Sequence, residues 1–247
     1  MKQDIIELIS KADQKDPKAM EKLGLYYLKG IHGLPTNANK GYKLLRDSAN
    51  LDNFNSLYYI AKTHLVDTYG IKDIRKGIEL LKKAAQAKHT ESIFELGKIY
   101  YYGEIQPKNI EEAEMYLRRA SNAEDANSKA QYLLAYIWEN GLFEDYVNLE
   151  EAFLYYEKSA KLNNIEALFK CGQLYYSGIE DILEVNLSKS ISYLKKASDK
   201  GHFEANSLLA CVYLEESIRL LSKTSKKSED SRVILEALSK IDLTILN

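Results

Sequence analysis

Four histidines, two cysteines and nineteen tyrosines are the side chains of this sequence with the most chemistry to offer. His32, His64, His89 and His202 are scattered singly along the chain. A metal needs at least three convergent ligands, so no metal site is expected and the histidines read as packing or surface residues. Cys171 and Cys211 each stand inside an apolar helical pattern, which suits buried, reduced thiols better than a disulfide framework. The sequence contains no G-x-S-x-G, H-E-x-x-H, C-x-x-C, G-x4-G-K or G-x-G-x-x-G. No catalytic residue, cofactor or enzymatic activity is therefore expected. The tyrosines remain, and they recur in one phrase: LGLYYLKG at 23–30, LGKIYYYG at 96–103 and CGQLYYSG at 171–178.

A phrase that returns belongs to a repeated element. A small residue is followed by a large apolar residue four positions on, Gly or Ala at the fifth and an aromatic at the eighth. This template finds Ala19, Leu23, Gly24 and Tyr27; Ser56, Ile60, Ala61 and His64; Ser92, Leu96, Gly97 and Tyr100. It continues with Ala130, Leu134, Ala135 and Trp138; Ala167, Cys171, Gly172 and Tyr175; Ala205, Leu209, Ala210 and Tyr213. The six starts fall 36 to 38 residues apart. Spacings of four, five and eight mark one face of a helix, here named helix A, and the Gly or Ala lets a neighbouring helix approach closely. A second helix, B, follows in each unit. Asn37, Asp73, Asn109, Asn148 and Asn186 stand four residues before Gly41, Gly77, Ala113, Ala152 and Ser190, and Asn and Asp are N-capping residues. Glu112 and Glu151 stand where a capping box would place them. Gly30, Gly33, Gly70, Gly103, Gly141 and Gly178 occupy the A-to-B connectors, where a helix end calls for left-handed backbone.

With 45% hydrophobic and 28% charged residues the chain can bury an extensive core, and its formal charge of −2 offers no field for nucleic acid or an anionic membrane. The pairs Lys82-Lys83, Arg118-Arg119 and Lys195-Lys196 fall late in helix B, where cations complement the helix dipole. Asp4 and Glu7 interrupt the apolar run that a signal peptide needs, and no stretch approaches a membrane span, so a cytoplasmic location without membrane insertion is expected.

The pattern A-x3-LG-x2-Y-x2-G, then a cap and an apolar helix ending in small residues, resembles Sel1-like repeats, relatives of the tetratricopeptide repeat. The resemblance covers about residues 5 to 214. It implies an all-α, right-handed α-α superhelix, a solenoid of about five helix-turn-helix repeats with a half repeat at each end. On this reading 1–16 is an N-terminal capping helix and the repeats are 17–51, 54–88, 90–124, 128–163 and 165–200. A sixth helix A spans 203–222, 223–231 is a charged loop and 232–247 is a C-terminal capping helix. The second repeat departs from the pattern, with Ile60-Ala61 for Leu-Gly, His64 for the aromatic and Asp67 for a glycine.

In the geometry that the resemblance implies, helix A lines a concave face, with Tyr100 and its equivalents turned into the packing layer. The expected partner-binding groove comprises Lys62, Lys98, Tyr101, Tyr102, Tyr136, Glu139, Gln173 and Tyr176. Tyrosine offers large rigid area and a hydrogen-bonding tip. The column Tyr58, Phe94, Tyr132 and Phe169 reads instead as packing between repeats. Proteins of this kind typically serve as adaptors, so the expected function is a non-enzymatic scaffold for a partner protein or extended peptide, as a bacterial cytoplasmic regulator. The alternative is an immunity-type protein that neutralises a toxin or secreted effector. A lower alternative is a hydrolase, since some Sel1-like proteins are associated with hydrolysis of cell-wall-directed antibiotics. Those carry paired cysteines within each repeat, whereas Cys171 and Cys211 lie in different units.

Overall fold

The computed structural model describes residues 3–66, 71–143 and 145–224. Among these are twelve helices and no strand: α1 (Gln3–Asp13), α2 (Pro17–Lys29), α3 (Ala38–Ala49), α4 (Phe54–Leu65), α5 (Ile74–Gln86), α6 (Thr90–Tyr102), α7 (Ile110–Ser121), α8 (Ser128–Glu139), α9 (Leu149–Lys161), α10 (Ile165–Ser177), α11 (Leu187–Asp199) and α12 (Phe203–Thr224). The chain forms two compact units, Met1–Asn127 and Ser128–Asn247. In the first, α2/α3, α4/α5 and α6/α7 are helical hairpins, with α3 packed on α4 and α5 on α6. In the second, α8/α9 and α10/α11 are hairpins, α9 packs on α10, and α12 packs on α11. This is the all-α solenoid order that the repeat implies. The positions Asp67 and Gly70, the residues of the charged loop from 225 on, and the expected capping helix at 232–247 lie outside the described residues.

Each hairpin closes on the small residue of helix A. A side chain begun at Gly24 would meet Leu45, at Gly97 it would meet Leu117 within 2.9 Å, and at Gly172 it would meet Leu194 within 2.6 Å. These leucines, with Leu81 and Tyr156 at the same position of the other two repeats, are fully buried. Helix B is small at its own contact point for the same reason, since a side chain on Gly41 would strike the Gly24 carbonyl and one on Gly77 the Leu65 side chain, with the Ala61 carbonyl also crowded. Ser190 fills that position in the fifth repeat by donating its hydroxyl to the Gly172 carbonyl at 2.8 Å. α1 covers the outer side of the first hairpin through Ile5 and Ala12, which join Ala19, Met20, Leu23, Tyr27 and Leu34 in one cluster.

The five Asn and Asp caps act as the spacing predicts. Asn37, Asp73, Asn109, Asn148 and Asn186 each accept, through the side-chain oxygen, the N–H three residues on, at 2.9 to 3.0 Å. The capping box is corrected. The Asn109 N–H that would pair with Glu112 donates to the Tyr100 carbonyl at 2.9 Å, and the Asn148 N–H that would pair with Glu151 donates to Trp138 at 3.0 Å. The bond is general: Asn37, Asp73 and Asn186 donate to the carbonyls of Tyr27, His64 and Tyr175. One side chain thus closes the start of helix B while its own N–H ties that start to the eighth position of helix A, fixing the hairpin angle.

Gly30 and Gly103 end α2 and α6 in left-handed backbone, where L side chains are strained. The short links from helix B to the next helix A use the same conformation at Lys15, Asp52, Lys88, Asn163 and Gly201, each four residues before a template start. Only the last is glycine, so the sequence carried no glycine signal for this turn.

Helix A has a cap series of its own at the position after that turn. Asp16, Asn53 and Asn164 accept from the third N–H onward, and His89 and His202 do the same with Nδ1, at 3.2 and 3.3 Å. Both histidine rings also lie against the aromatic column of the preceding repeat, His89 on Tyr58 and His202 on Phe169. Because Nδ1 of His89 accepts, the proton sits on Nε2, which donates to Asn55 at 2.8 Å. Burial, which outweighs the nearby Asp125 and Glu21, holds the His89 pKa below its ordinary value. A depressed histidine pKa means that the unfolded chain binds the proton more readily. The stability contributed by neutral His89 is therefore complete above about pH 6.5 and is lost as the pH falls through the lower folded value. His89→Asn keeps a cap of the kind seen at Asn53 and is expected to flatten the acid limb of the stability profile. Urea titrations of both proteins from pH 7.5 to 5 check this, and parallel profiles would show that His89 does not titrate with folding.

Candidate functional site

The eighth-position residues divide unevenly. Tyr27, His64 and Tyr175 are buried, while Tyr100 and Trp138 are half-buried. Tyr100 lies flat on Tyr116 of helix B at 5.8 Å between centroids. His64 accepts the aromatic's place in the second repeat by bonding the Tyr42 hydroxyl and the Ile71 carbonyl, both at 2.9 Å. Tyr213, expected in the packing layer, is 44% exposed, because α12 runs on to Thr224 and the chain does not turn back where earlier helices A end.

In the first unit, Lys62 on α4 and Lys98 on α6 converge on Glu95. Their ammonium groups lie 3.2 Å from opposite oxygens of its carboxylate. Glu95 is 9% exposed and is the pivot of the arrangement. Each lysine also lies over an aromatic ring one turn earlier on its own helix, Lys62 at 5.8 Å from the Tyr58 centroid and Lys98 at 5.6 Å from Phe94. Burial, and then the charges of Glu95 and Glu91, push the Tyr58 hydroxyl up to about 12, so it remains a neutral donor. Tyr101 is half-buried, edge-on to Tyr102 at 4.9 Å, and Lys108 lies over its ring. Tyr102, the last residue of α6, is 55% exposed.

In the second unit, Glu139 at the end of α8 receives Lys170 of α10 on one oxygen and the Tyr156 hydroxyl of α9 on the other, both at 2.7 Å. Tyr156 is fully buried, and burial first, then Glu139, drives its hydroxyl pKa far up. Tyr176 on α10 donates to Glu215 of α12; that bond, with burial behind it, raises the Tyr176 hydroxyl to about 12. Gln173 is half-buried, and Tyr136 is 39% exposed.

Four of the eight predicted residues thus find their polar partners outside the predicted set, in Glu95, Lys170, Tyr156 and Glu215. A signal existed for two of them. Glu95 and Lys170 occupy the same register of helix A, three residues after a template start, and each opposes a charge on helix A of the repeat before. The first unit offers two placed ammonium groups and the exposed ring of Tyr102, and the second a placed carboxylate and the exposed ring of Tyr136, groups suited to recognition. Cys171 is buried and free, and its thiol is pushed well above the ordinary range by burial and next by Glu157, so it is a poor nucleophile at neutral pH. Among the described residues no group of His, Cys, Asp and Glu could hold a metal ion, and no helix is long and apolar enough to cross a membrane.

The Sel1 repeat family model matches the chain at residues 17–53, 55–89, 90–125, 128–164 and 165–202. Chitin synthase regulatory factor 2 of Schizosaccharomyces pombe is 30% identical over 111 residues, which is 45% of this chain but 22% of that protein. The chain thus spans about a fifth of that relative's length. A Sel1 repeat protein from Oxalobacter formigenes superposes with a TM-score of 0.71 at 21% identity, covering 86% of this chain and 81% of the other. An immunity protein from Pseudomonas aeruginosa superposes with a TM-score of 0.55 at 21% identity, covering 79% and 72%. At such identities the two structures speak for the fold alone, but five matched repeats carrying the interlocked glycines and paired caps show that the chain belongs to the Sel1 repeat family.

Proposed function

We propose that the protein is a non-enzymatic interaction scaffold that holds a partner protein or extended peptide on its helix-A surface. The observation that carries this reading is the division among the tyrosines. Tyr27, Tyr100 and Tyr175, at the eighth position of complete hairpins, are spent on closing them, whereas Tyr102 and Tyr136 stay exposed on helices that also carry charged groups already held in place. A surface whose side chains are ordered before binding leaves most of the ordering cost to the ligand. Lys62, Lys98, Tyr101, Tyr102, Tyr136, Glu139, Gln173 and Tyr176 are its proposed contact residues. We place the protein in the bacterial cytoplasm as a regulator, a role that the likeness to a regulatory factor of Schizosaccharomyces pombe supports. The second reading, an immunity-type protein that neutralises a toxin, draws on the likeness of fold to the Pseudomonas immunity protein.

Tyr102→Ala with Tyr136→Ala is the informative variant, since both rings are exposed, whereas Tyr101 packs on its neighbour. Affinity purification with mass spectrometry from the organism that makes the protein, at matched expression, is expected to recover one stoichiometric protein with the wild type. The variant should lose at least tenfold of it while keeping its helical signal. The identity of that protein separates regulator from immunity protein, and recovery of no specific partner by either form would speak against the scaffold reading.

A further inference from the structure

We propose that the Lys62–Glu95–Lys98 group is a receptor for an acidic side chain, so that the segment bound on the first unit carries an Asp or Glu at the point where it crosses these lysines. This rests on the scaffold reading and names the chemistry of its partner there. A glutamate as deeply buried as Glu95 needs a cation, and one lysine would serve. Two are present, at the same helix-A register of consecutive repeats, each with a single hydrogen bond to a different oxygen of the one carboxylate. The group therefore carries one positive charge in excess. Each ammonium has three N–H donors and spends one on Glu95. The side chains are 39% and 33% exposed, so the remaining donors are within reach of a ligand.

Their placement distinguishes them from ordinary surface lysines, which lose substantial rotamer freedom when a ligand orders them. Here the aromatic faces of Tyr58 and Phe94 and the buried carboxylate hold both stems before any ligand arrives. Glu91, one turn before Glu95, is the nearest competing anion on α6, and it is engaged by the Asn127 side-chain amide at 3.0 Å. A carboxylate accepts two donors on its two oxygens, so a ligand carboxylate can bridge the lysines from outside as Glu95 bridges them from within. The neighbouring Tyr101 and Tyr102 supply apolar area for the residues on either side of the acid.

Selection of a random dodecapeptide library on the full-length protein tests this, with the selected peptides sequenced and compared with the unselected pool. Peptides held by the wild type are expected to be enriched at least fivefold in Asp or Glu at one position. Lys62→Gln/Glu95→Gln/Lys98→Gln removes the charges without stranding the buried carboxylate, and should abolish that enrichment while its thermal unfolding stays close to the wild type. If the triple variant unfolds, the single variant Lys98→Gln, which leaves Glu95 paired with Lys62, is expected to reduce the enrichment instead. Binders without acidic preference, or a preference that survives in the folded variants, would overturn the inference and leave the scaffold reading standing. A wild type that selects no peptide at all would overturn both for peptide ligands.

Discussion

Gly172→Leu is expected to lower the free energy of unfolding by about 3 kcal/mol, near the upper end of the usual cost of overpacking. The physical reason lies at the first added atom, which would stand 2.6 Å from the side chain of Leu194. Leu194 is fully buried and has nowhere to turn, and three further carbons must follow the first. Alanine is a different case. Ala61 and Ala135 hold the equivalent position opposite Leu81 and Tyr156, so a methyl group can be accommodated when the facing helix is set for it. Gly172→Ala also gains up to about 1 kcal/mol of helix propensity, which offsets part of the crowding. Denaturant titration should therefore rank the proteins wild type, then Ala, whose one added atom still presses on Leu194, then Leu far below. Hydrogen exchange should locate the loss in α10 and α11, because each repeat leans on its neighbours. A leucine variant as stable as the wild type would mean that the two helices do not meet at Gly172.

Tyr156→Ala is expected to be more damaging still, at about 4 kcal/mol, since it empties the volume of a fully buried aromatic. It also strips Glu139 of one of its two partners. Tyr156→Phe separates the two effects. The ring stays, Lys170 still pairs with Glu139, and the loss should be about 1 kcal/mol, the ordinary worth of one hydrogen bond. Equal losses for the two variants in urea titration would place the weight on the hydroxyl rather than on the ring, contrary to the packing described.

The regularities of this fold stand in the sequence wherever one repeat repeats another. Gly24, Gly97 and Gly172 recur at the position where helix B must approach, and the caps from Asn37 to Asn186 recur four residues before the matching small residue of helix B. What the caps' own N–H groups do could not be read there, because the acceptor is a backbone carbonyl and carbonyls have no sequence signature. The glutamates at 112 and 151 matched a local motif that the hairpin overrides. His89 and His202 were legible in principle, standing three residues before Ser92 and Ala205 as Asn53 stands before Ser56, but histidine is an uncommon cap and its ring offers one acceptor only when neutral. Glu95 escaped for a different reason. Repeat reasoning finds what is shared, and the register of Glu95 holds Lys22, Tyr59, Leu133 and Lys170 in the other repeats, so the charge there vanishes or changes sign from repeat to repeat and leaves no common residue type to find. The parts of the candidate surface that differ between repeats are those a partner would read, and they are the parts that periodicity averages away.

Photo-crosslinking in the native cell can show whether partners bind the helix-A surface. A benzophenone amino acid would be placed singly at Tyr102 and Tyr136 and, for contrast, at the exposed helix-B residues Met115 and Leu154. Crosslinks from both helix-A positions to the same protein, with none from Met115 or Leu154, are the predicted result. Crosslinking confined to the helix-B positions would contradict the account and move the binding surface to the opposite side of each hairpin.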